Sequence, residues 1–321
     1  MSLRHIPIPS LPWAHPPRLP TYGLATRLQT TLQKDLLSWK EAGGAASSAP
    51  PPAPALITFT PAPTYTMGRR QERMSKQEHD RLRTKLRVET YTESSKLSYW
   101  FPKVEIVYAP RGGLTTYHGP GQLLFWPVID LRSPLHAHFT VRGYVDLLEQ
   151  TTVAALRQAY DLECSTTAAD PGVWAQKART VMGPDGEDME VVGEEEKIAS
   201  LGVHLRRHVT GLGIAVNFRM SVEGTDFNNP WSRIDPCGVR DARITTVNQM
   251  IRGSVHLEDA VTTLAPTWAA EFARRLGVAN AADPAAGPLV ETDDWNRWMV
   301  ELQLRHPSSA GFVLATKRSH G

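Results

Sequence analysis

The sequence predicts an α+β fold in which helices flank a mixed β-sheet. Strand-like and helix-like segments are both present along the 321 residues, but they do not alternate strictly, as they would in a doubly wound parallel sheet. Leucines recur at every fourth position within residues 22–41, as in an amphipathic helix. Residues 197–205 instead alternate between apolar and small or polar side chains, as in a half-buried strand.

Composition excludes several classes of protein. The formal net charge is +2 and the basic residues are scattered, so nothing indicates a nucleic-acid binder. No apolar run approaches the roughly 20 residues of a membrane-spanning helix, so no membrane span is expected. The two cysteines, Cys164 and Cys237, do not make a disulfide framework and favour free thiols in a reducing compartment.

The N-terminal residues 1–34 contain arginine and lysine but no acidic residue, a composition that suits a mitochondrial presequence. Six prolines within residues 1–20 oppose an amphipathic helix there and favour a disordered tail instead. We expect residues 1–20 to be a flexible segment. Mitochondrial targeting is the preferred interpretation, and the cytoplasm is the alternative location.

The catalytic domain is expected over residues 21–280, and its first element is a helix over Tyr22–Glu41. The leucine stripe forms its apolar face, and Gly43 and Gly44 stop it. A connector rich in Ser, Ala and Pro then leads to a strand over residues 55–60.

The next part of the chain carries an insertion between two strands. Residues 69–103 are mostly charged, which predicts an exposed segment with a short polar helix, and residues 104–108 predict the strand that follows it. A buried strand is predicted over residues 123–131 and an amphipathic helix over residues 144–160. Another strand is predicted to begin at Gly172.

A second insertion and a hairpin follow. Residues 179–196 are acidic and contain glycine, which predicts an exposed hairpin excursion. Two alternating segments, residues 197–205 and 212–218, predict paired strands, with the linker around Thr210 and Gly211 as their turn.

The C-terminal part is expected to contain one helical region, over residues 254–277, kinked or split at Pro266. A loop is predicted over residues 279–288. Residues 281–321 form a C-terminal extension that we expect to be partly disordered, above all over residues 308–321.

The most informative segment is the loop of residues 111–122, with the sequence RGGLTTYHGPGQ. Its four glycines allow a backbone to come close to a ligand, where a Cβ atom would collide. The apolar run that follows predicts a buried strand that holds the loop in place. These features favour a binding surface, and the alternative is a plain connection stiffened by Pro120.

Two polar residues are candidates for catalysis, although the residue pattern alone does not assign them. Cys237 lies between Pro236 and Gly238 in a polar loop that is suited to presenting a thiol, whereas most free cysteines are small buried hydrophobes. Lys197 begins an alternating strand and follows three glutamates, as many surface lysines do. Cys164 is expected to pack.

The segment of residues 212–218 also indicates a groove. One face is predicted to carry Leu212, Ile214, Val216 and Phe218, and the other Gly213, Ala215 and Asn217. The small residues, with Gly202 on the neighbouring strand, leave room for a straight alkyl chain. The alternative is that they allow a helix to pack closely.

Metal and nucleotide sites are not predicted. The pairs His136 with His138 and His204 with His208 lack the adjacent acid and the third ligand of zinc motifs. The glycine loop lacks the Gly-Lys-Ser/Thr of a phosphate-binding loop.

Four segments occur in the order of one known family: RGG-x-x-TYHGPGQ at residues 111–122, PGVW at 171–174, KIASLGV at 197–203 and PCG at 236–238. An early PTYTMGRR at residues 63–70 is also similar. At these segments the chain resembles the octanoyltransferases of lipoate biosynthesis, which have the biotin/lipoate protein ligase-like fold. The resemblance covers about residues 20–280, and the two insertions depart from the compact family pattern.

The resemblance implies that Cys237 takes the acyl group as a thioester and that Lys197 faces it. As an ammonium, Lys197 would lower the pKa of the thiol; as a neutral amine it would take the thiol proton, and the sequence leaves both roles open. His118 is expected to donate a hydrogen bond to the thioester carbonyl or to orient a neighbour. The implied substrate-binding residues are Arg111, Gly112, Gly113, Leu114, Thr115, Thr116, Tyr117, His118, Ser200, Leu201, Gly202, Gly213, Ile214 and Ala215.

The resemblance also implies the partners. The donor would be an octanoyl-acyl carrier protein, and the acceptors would be lipoyl domains of 2-oxoacid dehydrogenase complexes and the glycine cleavage H protein. No cofactor is expected because a thioester is already activated. Two alternatives are an ATP-dependent lipoate or biotin ligase and an inactive homologue that only binds lipoyl domains.

Overall fold

The computed structural model describes residues 2–11, 14, 16–46, 48–91, 97–182, 187–234, 244–251, 255 and 257–281. The described residues form thirteen strands and six α-helices. The strands are β1 Ser2–Pro7, β2 Ala55–Phe59, β3 Thr64–Met67, β4 Val88–Tyr91, β5 Leu97–Trp100, β6 Glu105–Tyr108, β7 Thr115–His118, β8 Gln122–Val128, β9 Cys164–Ser165, β10 Gly172–Met182, β11 Asp188–Arg206, β12 Val209–Asn217 and β13 Ala279–Ala281. The helices are α1 Tyr22–Glu41, α2 Lys76–Leu82, α3 Val141–Tyr160, α4 Val247–Met250, α5 Leu257–Asp259 and α6 Ala265–Leu276.

Eight strands form one mixed sheet in the order β13-β1-β2-β8-β12-β11-β10-β9. The first three strands run parallel to one another, and the other neighbours pair antiparallel. A smaller sheet has the order β6-β3-β7, and β4 and β5 form a separate hairpin. The predicted α+β fold with a mixed sheet is confirmed.

Helices cover both faces of the large sheet. On one face, α3 and α6 bury a core in which Trp268 stacks between Phe125 and Phe272, with ring centroids 4.5 and 5.1 Å away. On the other face, the leucine side chains of α1 pack against β2, β8 and β12. Burial of these apolar side chains supplies the main stabilisation of the sandwich.

Helix α1 has the predicted bounds. Thr21 caps its N-terminus by accepting a hydrogen bond from the Leu24 N–H at 3.1 Å. The predicted C-terminal helix is also present as a continuous region in which a π-helical turn, Ala260–Leu264, separates α5 from α6. Because Pro266 has no N–H to donate, an irregularity in the helical hydrogen-bond pattern is expected beside it.

The two ends of the described chain differ from expectation. Residues 2–7 were expected to be flexible, but they form β1 between β2 and β13, and Leu3 is fully buried. The loop predicted from residue 279 begins instead with β13, which pairs with β1 in parallel. Both strands are short, so neither shows a clear pattern in the sequence. Residues 282–321 lie outside the described part of the chain.

The insertion at residues 69–103 contains the predicted polar helix, α2, which begins with a capping box between Ser75 and Glu78. The insertion is not wholly exposed, since Leu82, Leu86 and Val88 are buried against the smaller sheet. The second insertion is the long antiparallel hairpin of β10 and β11, as expected.

The turn between β11 and β12 lies three residues before the predicted one. Arg207 and His208 have φ values of 51° and 70°, as the two central residues of a type I′ hairpin require, and Arg206 pairs with Val209. The sequence has no glycine at these two positions that would indicate this turn.

Among the described residues, no helix combines the length and the apolar character that crossing a membrane would require.

Leu212 also has a positive φ, 60°, and this changes which side chains of β12 lie on the same face. Leu212 therefore packs with Ala215 on the α1 side, whereas Ile214 and Val216 face α3 and α6. The prediction that Leu212 shares a face with Ile214 is wrong for this reason.

Candidate active site

A cavity of about 410 Å³ opens where the glycine loop meets β11 and β12. Every predicted binding residue except Tyr117 lines it, and so does Lys197. The wall also includes residues that were not predicted as binding residues, among them Tyr22, Trp126 and Asp170. The lining therefore combines apolar and charged side chains. The volume is within the range of small-molecule sites, roughly 300–1,000 Å³.

Arg111 organises the glycine loop. Its guanidinium donates to the carbonyl oxygens of Gly112 and Leu114, at 3.0 and 2.8 Å, and to Thr66 through both the carbonyl at 2.6 Å and the hydroxyl at 2.8 Å. Gly202 makes room for this side chain, since a Cβ there would lie 2.6 Å from Arg111 Cδ. The arginine thus holds the loop against β11 and β3.

His118 belongs to a hydrogen-bond chain that fixes its protonation. Asn217 Nδ2 donates to the Thr245 carbonyl at 3.1 Å, so Asn217 Oδ1 accepts from Gln122 Nε2 at 2.8 Å. Gln122 Oε1 then faces His118 Nδ1 at 3.2 Å, and that nitrogen is the donor. Burial lowers the pKa of His118 to about 3, so the ring is neutral and Nε2 carries no proton. This geometry favours the orienting role over donation to a carbonyl.

Lys197 is 1% exposed, although it follows three glutamates. Its Nζ lies 2.8 Å from Asp170 Oδ1 and 5.0 Å from the centroid of the Trp174 ring. Glu149 lies on α3 beside this pair, and its Oε1 accepts the Gly172 N–H at 2.6 Å. Burial raises the pKa of Glu149, and the Gly172 N–H opposes that effect.

Gly172 of the PGVW segment makes space for the lysine. Its φ is 144°, and a Cβ there would lie 2.5 Å from Lys197 Cε and 2.6 Å from the Ala199 carbonyl oxygen. A side chain at this position would therefore be strained and would push the lysine away from the cavity.

We expect Gly172→Ala to lower the free energy of unfolding by about 1–3 kcal/mol, the usual cost of overpacking. Thermal melting followed by circular dichroism checks this. Gly112→Ala is the matched control. A Cβ at Gly112 would have no neighbouring heavy atom within 4 Å, so the stability of this variant should hardly change. Equal melting temperatures for the two variants would contradict the proposed close approach.

Two of the small residues predicted to line a groove, Gly202 and Gly213, line the cavity and also allow close packing. A Cβ at Gly213 would overlap the carbonyl oxygen of Phe125 on β8, and Gly202 accommodates Arg111. Of the small residues on β12, Ala215 has a side chain in the cavity wall. The groove therefore depends on Ala215 rather than on Gly213.

Tyr117 lies on the other side of the glycine loop. It packs against Tyr65 and Trp231 and contributes to a separate cavity of about 240 Å³. Cys237 lies outside the described residues. Within the described part of the chain, no cluster of three or more His, Cys, Asp or Glu residues could hold a metal ion.

The chain that carries Cys237 is anchored at both of its described ends. Ile244 pairs in parallel with Lys197, and the Thr245 N–H donates to the Lys197 carbonyl at 3.0 Å. On the other side, the Arg233 guanidinium donates to the carbonyls of Thr84 and Lys85, each at 3.0 Å.

Comparisons with known proteins agree with this arrangement. The model of the lipoyl protein ligase A/B catalytic domain matches residues 33–269. A probable octanoyltransferase of Schizosaccharomyces pombe is 35% identical over 167 residues, which are 52% of this chain and 57% of that protein. An octanoyltransferase of Clavibacter michiganensis subsp. michiganensis is 34% identical over 186 residues, 57% of this chain and 69% of that protein.

Among solved structures, a bipartite lipoate protein ligase from Thermoplasma acidophilum superposes with a TM-score of 0.50 at 13% identity, covering 99% of this chain and 98% of that one. At this identity the likeness shows the fold. The sequence matches span little more than half of the Schizosaccharomyces protein and about two thirds of the Clavibacter protein.

Proposed function

Because the chain belongs to the octanoyltransferase branch of the lipoyl protein ligase A/B catalytic-domain family, we propose that it transfers an octanoyl group from an acyl carrier protein to a lipoyl-domain lysine. The observation that carries the proposal is the cavity, whose lining combines Ala215 and Trp126 with the buried Lys197. An alkyl chain suits the apolar side chains of the lining, and the reacting carbonyl suits the neighbourhood of Lys197.

The proposed reaction has two steps. The thiolate of Cys237 attacks the carbonyl carbon of the octanoyl thioester, a C–S bond to Cys237 forms, and the C–S bond to the carrier breaks. The carrier leaves as a thiolate and takes up a proton. A neutral lysine amine of the acceptor then attacks, the C–N bond forms, the C–S bond to Cys237 breaks, and the amine proton passes to solvent.

The anchoring of the chain around Cys237 supports this role. Cys237 is three residues after Ile234 and seven before Ile244, and an extended chain of seven residues spans at most about 23–25 Å. Since Ile244 pairs with Lys197, this length limits the distance between Cys237 and the lysine, and we propose that the two side chains meet at the cavity. An ammonium near a thiol favours the thiolate.

The test is intact mass spectrometry of the full chain incubated with octanoyl-acyl carrier protein. We expect one octanoyl adduct that is labile to hydroxylamine and that passes to an added lipoyl domain or H protein. Modification of the lipoyl domain from free octanoate and ATP, with no reaction from the carrier thioester, would identify a ligase. Absence of both reactions, with lipoyl-domain binding retained, would identify an inactive binding protein.

Chain-length preference tests the assignment of the groove. We expect Ala215→Leu to favour shorter acyl groups, because Ala215 is 3% exposed in the cavity wall and added methylenes cost about 1–3 kcal/mol when they overpack. A free-energy cost of this size corresponds to roughly tenfold or more discrimination in kcat/KM between octanoyl and butyryl carrier proteins.

Gly213→Val is the matched control for this measurement. Its side chain would collide with the backbone of Phe125, so stability and activity should fall for every chain length alike. A folded Ala215→Leu variant with an unchanged ranking of chain lengths would remove Ala215 from the acyl site.

Location in mitochondria is also proposed, with the cytoplasm as the alternative, from the acid-free composition of residues 1–34. Since β1 belongs to the large sheet, we propose that Ser2–Pro7 is not cleaved from the protein during import. Mass spectrometry of the protein isolated from mitochondria tests both points.

A further inference from the structure

We propose that Asp170 is a positioning residue that holds Lys197 as an ammonium in the lining of the cavity. The inference rests on the proposed function, in which Lys197 acts on the thiol of Cys237. Asp170 Oδ1 lies 2.8 Å from Lys197 Nζ, and both residues line the cavity. This is the geometry of a charge-assisted hydrogen bond.

The surroundings of Lys197 restrict where its ammonium can lie. Gly172 approaches the side chain so closely that a Cβ would meet Cε at 2.5 Å and Nζ at 3.3 Å. The Trp174 ring lies 5.0 Å from Nζ and attracts a cation through its π face. Together with the ion pair, these contacts direct the ammonium towards Asp170.

The second oxygen of Asp170 argues against a purely structural role. Oδ2 is buried and makes no hydrogen bond within the described part of the chain. Leaving a buried carboxylate oxygen unpaired is destabilising, so an Asp is a poor choice for stability at this position. The Ser200 hydroxyl, also in the cavity wall, is buried in the same way. Neither atom has a hydrogen-bond partner within the described part of the chain.

Other ionisable groups face the same region from every element packed around it. Glu149 on α3 already accepts the Gly172 N–H, and Asp146, one turn earlier on α3, is exposed. From the glycine loop, Arg111 is bonded to loop carbonyls and His118 is neutral. Of the carboxylates named here, that of Asp170 contacts the lysine directly.

The expected effect of Asp170→Asn depends on two opposing charges. Removing the carboxylate removes a negative charge that would disfavour a thiolate. It also removes the partner that fixes the position of Lys197 Nζ, and Lys197 is 1% exposed. The second effect is the larger, because Lys197 is almost completely buried. The thiolate then loses the neighbouring positive charge.

The experiment measures alkylation of Cys237 by iodoacetamide against pH, in a Cys164→Ala background of the full chain. We expect the profile of Asp170→Asn to move about one pH unit upwards, and acylation at neutral pH to slow about tenfold with little change in KM for the carrier protein. Asp170→Glu should recover part of the loss. Asp146→Asn, which removes an exposed carboxylate on α3, should match the parent.

An unchanged profile, or one that moves to lower pH, would overturn the inference, because Lys197 would then act on the thiol without Asp170. A lower melting temperature with an unchanged profile would likewise indicate a structural role only. The alkylation assay needs no acyl donor. If the unsubstituted enzyme forms no octanoyl adduct, the proposed function fails, and the assay still decides whether Asp170 acts on Lys197.

Discussion

Cys237→Ala is expected to abolish octanoyl transfer, with a loss on the order of 1,000-fold or more. A covalent pathway has no substitute for its nucleophile, and the other groups of the cavity would leave only a small residual rate. Intact mass spectrometry should find one octanoyl group on the unsubstituted enzyme and none on the variant. Peptide mapping should assign the group to Cys237.

Cys164→Ala is the matched control for the nucleophile. Cys164 is partly buried in β9, and burial, with the Glu163 carboxylate next to it, raises the pKa of its thiol to about 12. That cysteine stays a thiol at neutral pH and is a poor nucleophile. A fully active Cys237→Ala enzyme, or an octanoyl adduct found on Cys164, would contradict the acyl-enzyme proposal.

Replacement of Lys197 is expected to produce the second largest effect. Lys197→Ala should slow acylation of Cys237 by about a hundredfold or more, the usual range for loss of an acid–base partner. Without the ammonium, the pKa of the Cys237 thiol rises, so at a fixed pH below that value less thiolate is present. Stopped-flow measurement of carrier-thiol release reports this step directly.

Two further variants separate charge from packing at Lys197. Lys197→Met keeps most of the buried volume, so a loss equal to that of Lys197→Ala assigns the effect to the amine. Lys103→Ala, at an exposed lysine outside the cavity, should leave the rate unchanged. If iodoacetamide labels Cys237 with the same pH dependence with and without the Lys197 amine, the coupling between the two residues is wrong.

Much of this fold was predictable because its long elements carry local patterns. Helix α1 has the predicted bounds, since its leucine stripe and the threonine cap before it act over neighbouring residues. The glycine loop was a candidate because of its residue types, whereas Lys197 looked like a surface lysine and became a candidate through the family resemblance. The structure brings these residues together in one cavity.

The rest depends on contacts between distant residues. The close packing of Gly213 against the Phe125 carbonyl could not be predicted, because that carbonyl lies on a strand that sequence spacing does not place. The face of Leu212 depends on a single positive φ. Asp170 gave no signal, since its contact with Lys197 exists only after β10 pairs with β11.

The pairing of β1 with β13 has a consequence for biosynthesis. On the ribosome β1 is made first, yet its second hydrogen-bonded neighbour is made only after almost all of the described chain. Until then one edge of β1 remains unpaired, and an open edge is a site for association with other chains. In the nascent protein, the open edge of β1 is therefore available for aggregation for most of synthesis. Chaperone binding to β1 would reduce that aggregation.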